Sequence, residues 1–61
     1  MRPDARARLL TVRELADRLR ISRRSAYRVA REMMHVVIAG RVLVPEPAVD
    51  RYVEARLKDA D

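Results

Sequence analysis

Apolar positions along the 61-residue chain follow a helical period twice, then run together as two short β-rich stretches, then return to a helical period. Val12, Leu15, Ala16 and Leu19 share one face of a helix, and Arg13, Glu14, Asp17 and Arg18 occupy the other. Thr11 precedes this run and Glu14 follows it by three residues. That is the pattern of a capping box, in which a hydroxyl and a carboxylate each satisfy a backbone amide. The spacing predicts a helix from Thr11 to about Arg20. Ile21 is followed by a second cap residue, Ser22. Beyond it Ala26, Val29, Ala30 and Met33 fall on one side, while Arg24, Tyr27, Arg28 and Arg31 fall on the opposite side. Arg23 and Ser25 flank that second face near its start. Only two or three residues separate the helices, so the pair reads as helix–short turn–helix, in which the second helix lies in the DNA major groove.

Val36–Ile38 and Val42–Val44 are β-formers separated by Ala39, Gly40 and Arg41. Gly40 is the chain's one glycine, and a glycine between two β-branched runs marks a hairpin tip that needs positive φ. Neither run alternates cleanly, so the hairpin is expected to pack on one side only, with Arg41 at its tip. Pro45 and Pro47 end the strand and suit the first turn of a last helix, where a missing N–H costs nothing. Val49, Tyr52, Val53 and Leu57 form that helix's apolar stripe; acids at its start and bases at its end complement its dipole. The fold class is therefore mainly α with a small β-hairpin: a minimal winged helix-turn-helix of helix, helix, hairpin wing and helix over residues 9–61. Residues 1–8 show no sustained apolar pattern and read as a flexible basic arm.

Composition narrows the function. Such a short chain hides only about 60% of the surface its unfolded form exposes, too little for a deep catalytic cleft. It has no cysteine, hence no disulfide, thiolate metal site or thiol nucleophile, and one histidine, His35, which cannot build a zinc site alone. No acid–base pair, nucleophile–base set or phosphate-cradling loop is visible, so the reading is a non-enzyme without cofactor or metal. The longest uncharged run, Met33–Gly40, is far short of the ~20 residues of a membrane span, and the N-terminus lacks an apolar signal core. The expectation is a cytoplasmic binding module.

The distribution of charge says more than the net +5. Residues 1–41 hold eleven arginines against four acids, and residues 42–61 hold three bases against five acids. One part thus faces a polyanion, and the other is neutral or faces a protein. Thirteen of the fourteen basic residues are arginine, which forks bidentately to phosphate and to guanine edges. The candidates for base-edge or phosphate contacts are Arg23, Arg24, Ser25 and Arg28. Tyr27 stands either against DNA or against the wing. Thr11, Arg18, Arg20 and Arg31 are candidate phosphate clamps, and Arg41 would reach DNA from the wing. A plainer reading stands beside each. Exposed arginines are often merely solvated, and Ser22 and Thr11 are caps first. Tyr52 belongs to the core, His35 packs between the second helix and the wing, and Met33 and Met34 fill gaps.

The stretch from Leu9 to Leu57 resembles the excisionase-type winged helix-turn-helix family, related in fold to MerR DNA-binding domains. LLTVRELADRLRIS, SRRSAYR and GRVLVPEPAVDRYV carry the likeness. Its size and arginine content are similar to those of mycobacteriophage excisionases, the recombination directionality factors. The resemblance implies a protein that performs no chemistry. It implies cooperative binding, beside neighbouring copies of itself, to repeats in phage attachment-site DNA. Bending of that double-stranded DNA would then direct a phage integrase toward prophage excision in the bacterial cytoplasm. It also implies that Tyr27 contacts phosphate. Two positions depart from the family pattern. Arg20 stands where glycine is common, so it takes a strained turn conformation or lengthens the helix, and Arg41 is the wing's only charge.

Two other functions fit the same residues. One is a small winged-helix transcriptional regulator, which would need a dimerisation element to match a palindromic operator. The other is a basic protein–protein module such as an antitoxin, in which the acidic C-terminal third docks on a basic neighbour. RNA binding is disfavoured by the shortage of aromatics for base stacking.

Overall fold

The computed structural model describes residues 8–59. In chain order it has β1 (Leu9–Thr11), α1 (Val12–Leu19), α2 (Arg23–Glu32), β2 (Val36–Ile38), β3 (Arg41–Pro45) and α3 (Glu46–Asp59). The expected arm over 1–8 lies outside the described residues except for Arg8, whose carbonyl accepts from the Glu46 N–H at 3.0 Å.

Both caps form. Thr11 Oγ1 accepts from the Glu14 N–H at 3.1 Å, and Glu14 Oε1 accepts from the Thr11 N–H at 2.9 Å, so the box is reciprocal. Ser22 Oγ accepts from the Ser25 N–H at 3.1 Å and starts α2. Between the helices Arg20 adopts φ 59° and ψ 46°, the left-handed conformation. Its N–H and that of Ile21 both donate to the Ala16 carbonyl, so α1 ends in a left-handed cap closed across six residues. Of the two expectations for Arg20, the strained turn is the one realised.

β1 was not expected. The two leucines that begin the packed part are a strand, and it adds a third member to the hairpin in the order β1-β3-β2, all antiparallel. Leu10 pairs with Val44 and Thr11 with Leu43, while on the other side Val37 pairs with Val42. β3 is therefore central, and contrary to expectation it alternates: Val42 and Val44 point inward, Arg41 outward. β2 is exposed along its whole length. Arg41 is the first residue of β3, paired with Ile38, so the tip is the two-residue turn Ala39–Gly40.

Both turn residues have positive φ, 52° at Ala39 and 77° at Gly40, as a type I′ turn demands. A Cβ on Gly40 would meet nothing within 4 Å, so conformation rather than crowding calls for glycine there. Ala39 carries the cost a β-carbon brings in the left-handed region. Replacing it by asparagine, which tolerates that region and makes the favoured Asn-Gly pair, should stabilise the domain by about 1 kcal/mol. A melting temperature raised by roughly 4–8 °C is the expected readout; an unchanged one would show that Ala39 bears no strain.

The core lies where α1, α2 and α3 meet the inner face of the sheet. Leu10, Leu15, Ala16, Ala26, Ala30, Val42, Val44, Ala48 and Val49 are buried, with Val12, Leu19, Val29, Met33 and Val53 packed against them. Alanines at 16, 26 and 30 let α1 and α2 approach closely. Three expected core placements are corrected. Leu57 is 65% exposed because α3 runs on past the small body after Val53. Met34 is 66% exposed: α2 stops at Glu32 and Met33 turns into extended backbone, which throws Met34 outward. Tyr52 is only half-buried, with its hydroxyl engaged in polar contacts. His35 is half-buried between α2 and the wing, its Nδ1 2.9 Å from the Met33 carbonyl oxygen.

Candidate nucleic-acid interface

A helix with a capped start leaves its first two amides unpaired and its dipole positive there. α1 and α2 each begin this way, and the wing lies against both starts. These elements enclose an open groove lined by the capping Thr11, Val12 and Arg13 from α1, Arg23 and Tyr27 from α2, and Gly40 to Leu43 from the wing. Three arginines from three separate elements thus border one concavity, beside the first turn of α1.

α2 supplies the rest of the basic surface. Arg23, Arg24, Ser25, Arg28 and Arg31 are all exposed, and only alanines and half-buried side chains face inward. Among the described residues, Arg13, Arg20, Arg23, Arg24, Arg28 and Arg41 form no ion pair. Their charge is available to an external anion. Ser22 donates its hydroxyl hydrogen to Ser25 Oγ at 3.0 Å, which leaves the Ser25 hydroxyl free to donate outward. Tyr27 is 45% exposed and lines the groove together with the wing residues Gly40 to Leu43. Arg31 lies over the Tyr27 ring at 5.7 Å from its centroid and donates to its hydroxyl at 3.3 Å. The pair is held one helical turn apart, as (i, i+4) side chains are.

Not all the candidates converge. Arg18 Nη2 bonds Glu46 Oε2 at 2.7 Å, which ties α1 to the start of α3. It borders a different groove, with Leu19, Val49, Asp50, Val53 and Glu54. Arg20 stands in the turn, exposed, between the two helices. Thr11 is on the groove, with its side chain engaged in the cap. Arg13 was assigned above only to α1's polar face, yet it stands beside Arg23 and Arg41. The signal was its place two residues after a capping threonine, at the helix end where free amides gather.

The acids sit elsewhere. Glu14, Glu46 and Glu32 are each paired with an arginine, and Asp50 and Glu54 lie along α3 on the second groove. The molecule therefore has a positive face made by α2, the start of α1 and the wing, and a mixed face made by α3. Among the described residues, no three His, Asp or Glu side chains converge as a metal site, and no helix is long and apolar enough to cross a membrane.

A family model described as a helix-turn-helix domain matches residues 9–57. No curated protein and no solved structure gives a significant match. The matched span takes in both caps, the arginine-bearing helix, the wing and α3 as far as Leu57. The chain belongs to the family of helix-turn-helix domains, and its function is sequence-specific binding of double-stranded DNA.

Proposed function

We propose that the protein is an excisionase-type DNA-binding factor that recognises repeats in phage attachment-site DNA. Binding bends that DNA, so that a phage integrase is directed toward excision. The observation that carries this reading is the row of unpaired arginines on α2, flanked by Arg13 and Arg41 across the groove. α2 enters the major groove, where Arg24 and Arg28 read guanine edges and Ser25 contributes its free hydroxyl. Arg13, Arg23, Tyr27 and Arg31 hold phosphates, joined by the amides at the start of α1 beside Thr11. Arg41 touches the backbone from the wing, and Arg20 reaches it from the turn. Arg18 is a phosphate ligand only if it exchanges Glu46 for DNA. The protein acts by binding alone, in keeping with a sequence that shows no nucleophile–base set and no acid–base pair. Asp50 and Glu54 form the acidic surface that a neighbouring copy's basic face would meet.

Selection from a random duplex library at ~150 mM salt, where unspecific attraction is already weakened, tests the reading. Closely phased direct repeats are the expected outcome. A single palindrome would instead identify a dimeric regulator at an operator. Failure to enrich any sequence would remove the major-groove assignment and favour a protein–protein module.

A further inference from the structure

α2 meets the rest of the domain through alanine. Ala26 and Ala30 are fully buried, and Val29 and Met33 only partly. Alanine allows close approach, but it buries little area and keys into no hole that would fix the helix against rotation. The start of α2 is fixed by the Ser22 cap and the tight turn at Arg20. Its far end is anchored by Ala30 and by the partly buried Val29 and Met33, beyond which the chain turns away and exposes Met34.

A polar contact from α3 adds to this packing at the far end. The Tyr52 hydroxyl donates to Glu32 Oε1 at 3.3 Å and accepts from Arg56 Nη2 at 2.9 Å. The same Arg56 nitrogen is 3.7 Å from that Glu32 oxygen, and its guanidinium carbon lies 5.0 Å from the centre of the Tyr52 ring. Glu32 is the last residue of α2 and its one acid. Three side chains thus close a cycle between the end of one helix and the middle of another.

We infer that Tyr52 and Arg56 form a brace that sets the angle at which α2 lies in the major groove. They are positioning residues for sequence reading and touch no DNA themselves. The inference rests on the reading of α2 as the recognition helix. Arg28 stands five residues from the start of α2, about 7.5 Å along its axis, so a pivot of about 10° at the start moves its backbone by roughly 1.3 Å. That takes a bidentate hydrogen bond to a base edge out of range. A single donor can meet a phosphate oxygen from many directions and so absorbs such a shift, whereas a bidentate fork has to lie in the plane of the base. The brace therefore acts on specific binding and leaves unspecific binding alone.

Tyr52→Phe keeps the ring and removes both hydrogen bonds. In the full chain it is expected to lower affinity for the selected site roughly three- to tenfold, the effect of one hydrogen bond. Affinity for unrelated duplex and the salt dependence should stay as in the parent. Glu32→Ala should match it, and the double variant should be no worse than either single one. Glu32→Gln, whose amide oxygen still accepts, should retain selectivity. Without DNA, amide exchange over residues 29–32 should accelerate in Tyr52→Phe. Unchanged selectivity together with unchanged exchange overturns the brace. So does a salt slope reduced by about one in Arg56→Ala, because Arg56 would then be a phosphate ligand. If the parent protein selects no sequence, the recognition-helix reading fails by itself, and the exchange measurement still decides whether the brace exists.

Discussion

Arg24→Ala and Arg28→Ala are each expected to cost about 1–3 kcal/mol of discrimination between cognate and unrelated duplex, and the double variant should lose selectivity altogether. Both side chains are exposed, one turn apart on α2, and neither has an ion-pair partner among the described residues. Nothing in the fold depends on them, so thermal stability should move by no more than about 0.5 kcal/mol. The salt dependence separates two modes of action. Arginines that read bases leave the slope of affinity against salt nearly unchanged. Arginines on phosphates reduce it by about one each and weaken all sequences alike. Titration of both variants against cognate and scrambled duplexes at two salt concentrations gives the answer. Full selectivity in the double variant would move the reading surface off α2.

The largest effect on stability is expected at Leu15. It is wholly buried on α1 among alanines and valines, and with Val44 and Val49 it is one of the three largest fully buried side chains. Truncation to alanine removes about 2–5 kcal/mol, and alanine neighbours are too short to fill the space left. A domain of this length has roughly 3–9 kcal/mol to lose. Leu15→Ala should therefore remove about half of the domain's stability, visible as a urea midpoint lowered by roughly half. Leu57→Ala is the internal control: at 65% exposure it should shift the midpoint barely at all. Equal effects at the two positions would place the core elsewhere.

What could be read from sequence was local. The Thr11 and Ser22 caps, the helix faces and the glycine at the hairpin tip depend on residues three or four apart, and the structure has them as expected. β1 escaped because three residues are too short to show a period, and its partner lies far along the chain at Leu43–Pro45. Leu57 and Met34 were misjudged for a related reason. Periodicity says which face of a helix is apolar, but the size of the body decides how far along the helix that face is covered. The arginine face of α2 was legible because its apolar stripe is so narrow. The grouping of Arg13 with Arg23 and Arg41 was not, since it depends on how three elements meet.

β1 also bears on the order in which the domain assembles. Leu10 pairs with Val44, so α1, α2 and the hairpin hang inside a single loop of chain closed by a three-residue strand. Closing a loop of roughly 30 residues costs about 3 kcal/mol in chain entropy beyond a constant term. The α1–α2 pair and the β2–β3 hairpin rest on contacts closer in sequence. On loop entropy the N-terminal strand is therefore expected to pair last, and a mutation in it to speed unfolding more than it slows folding.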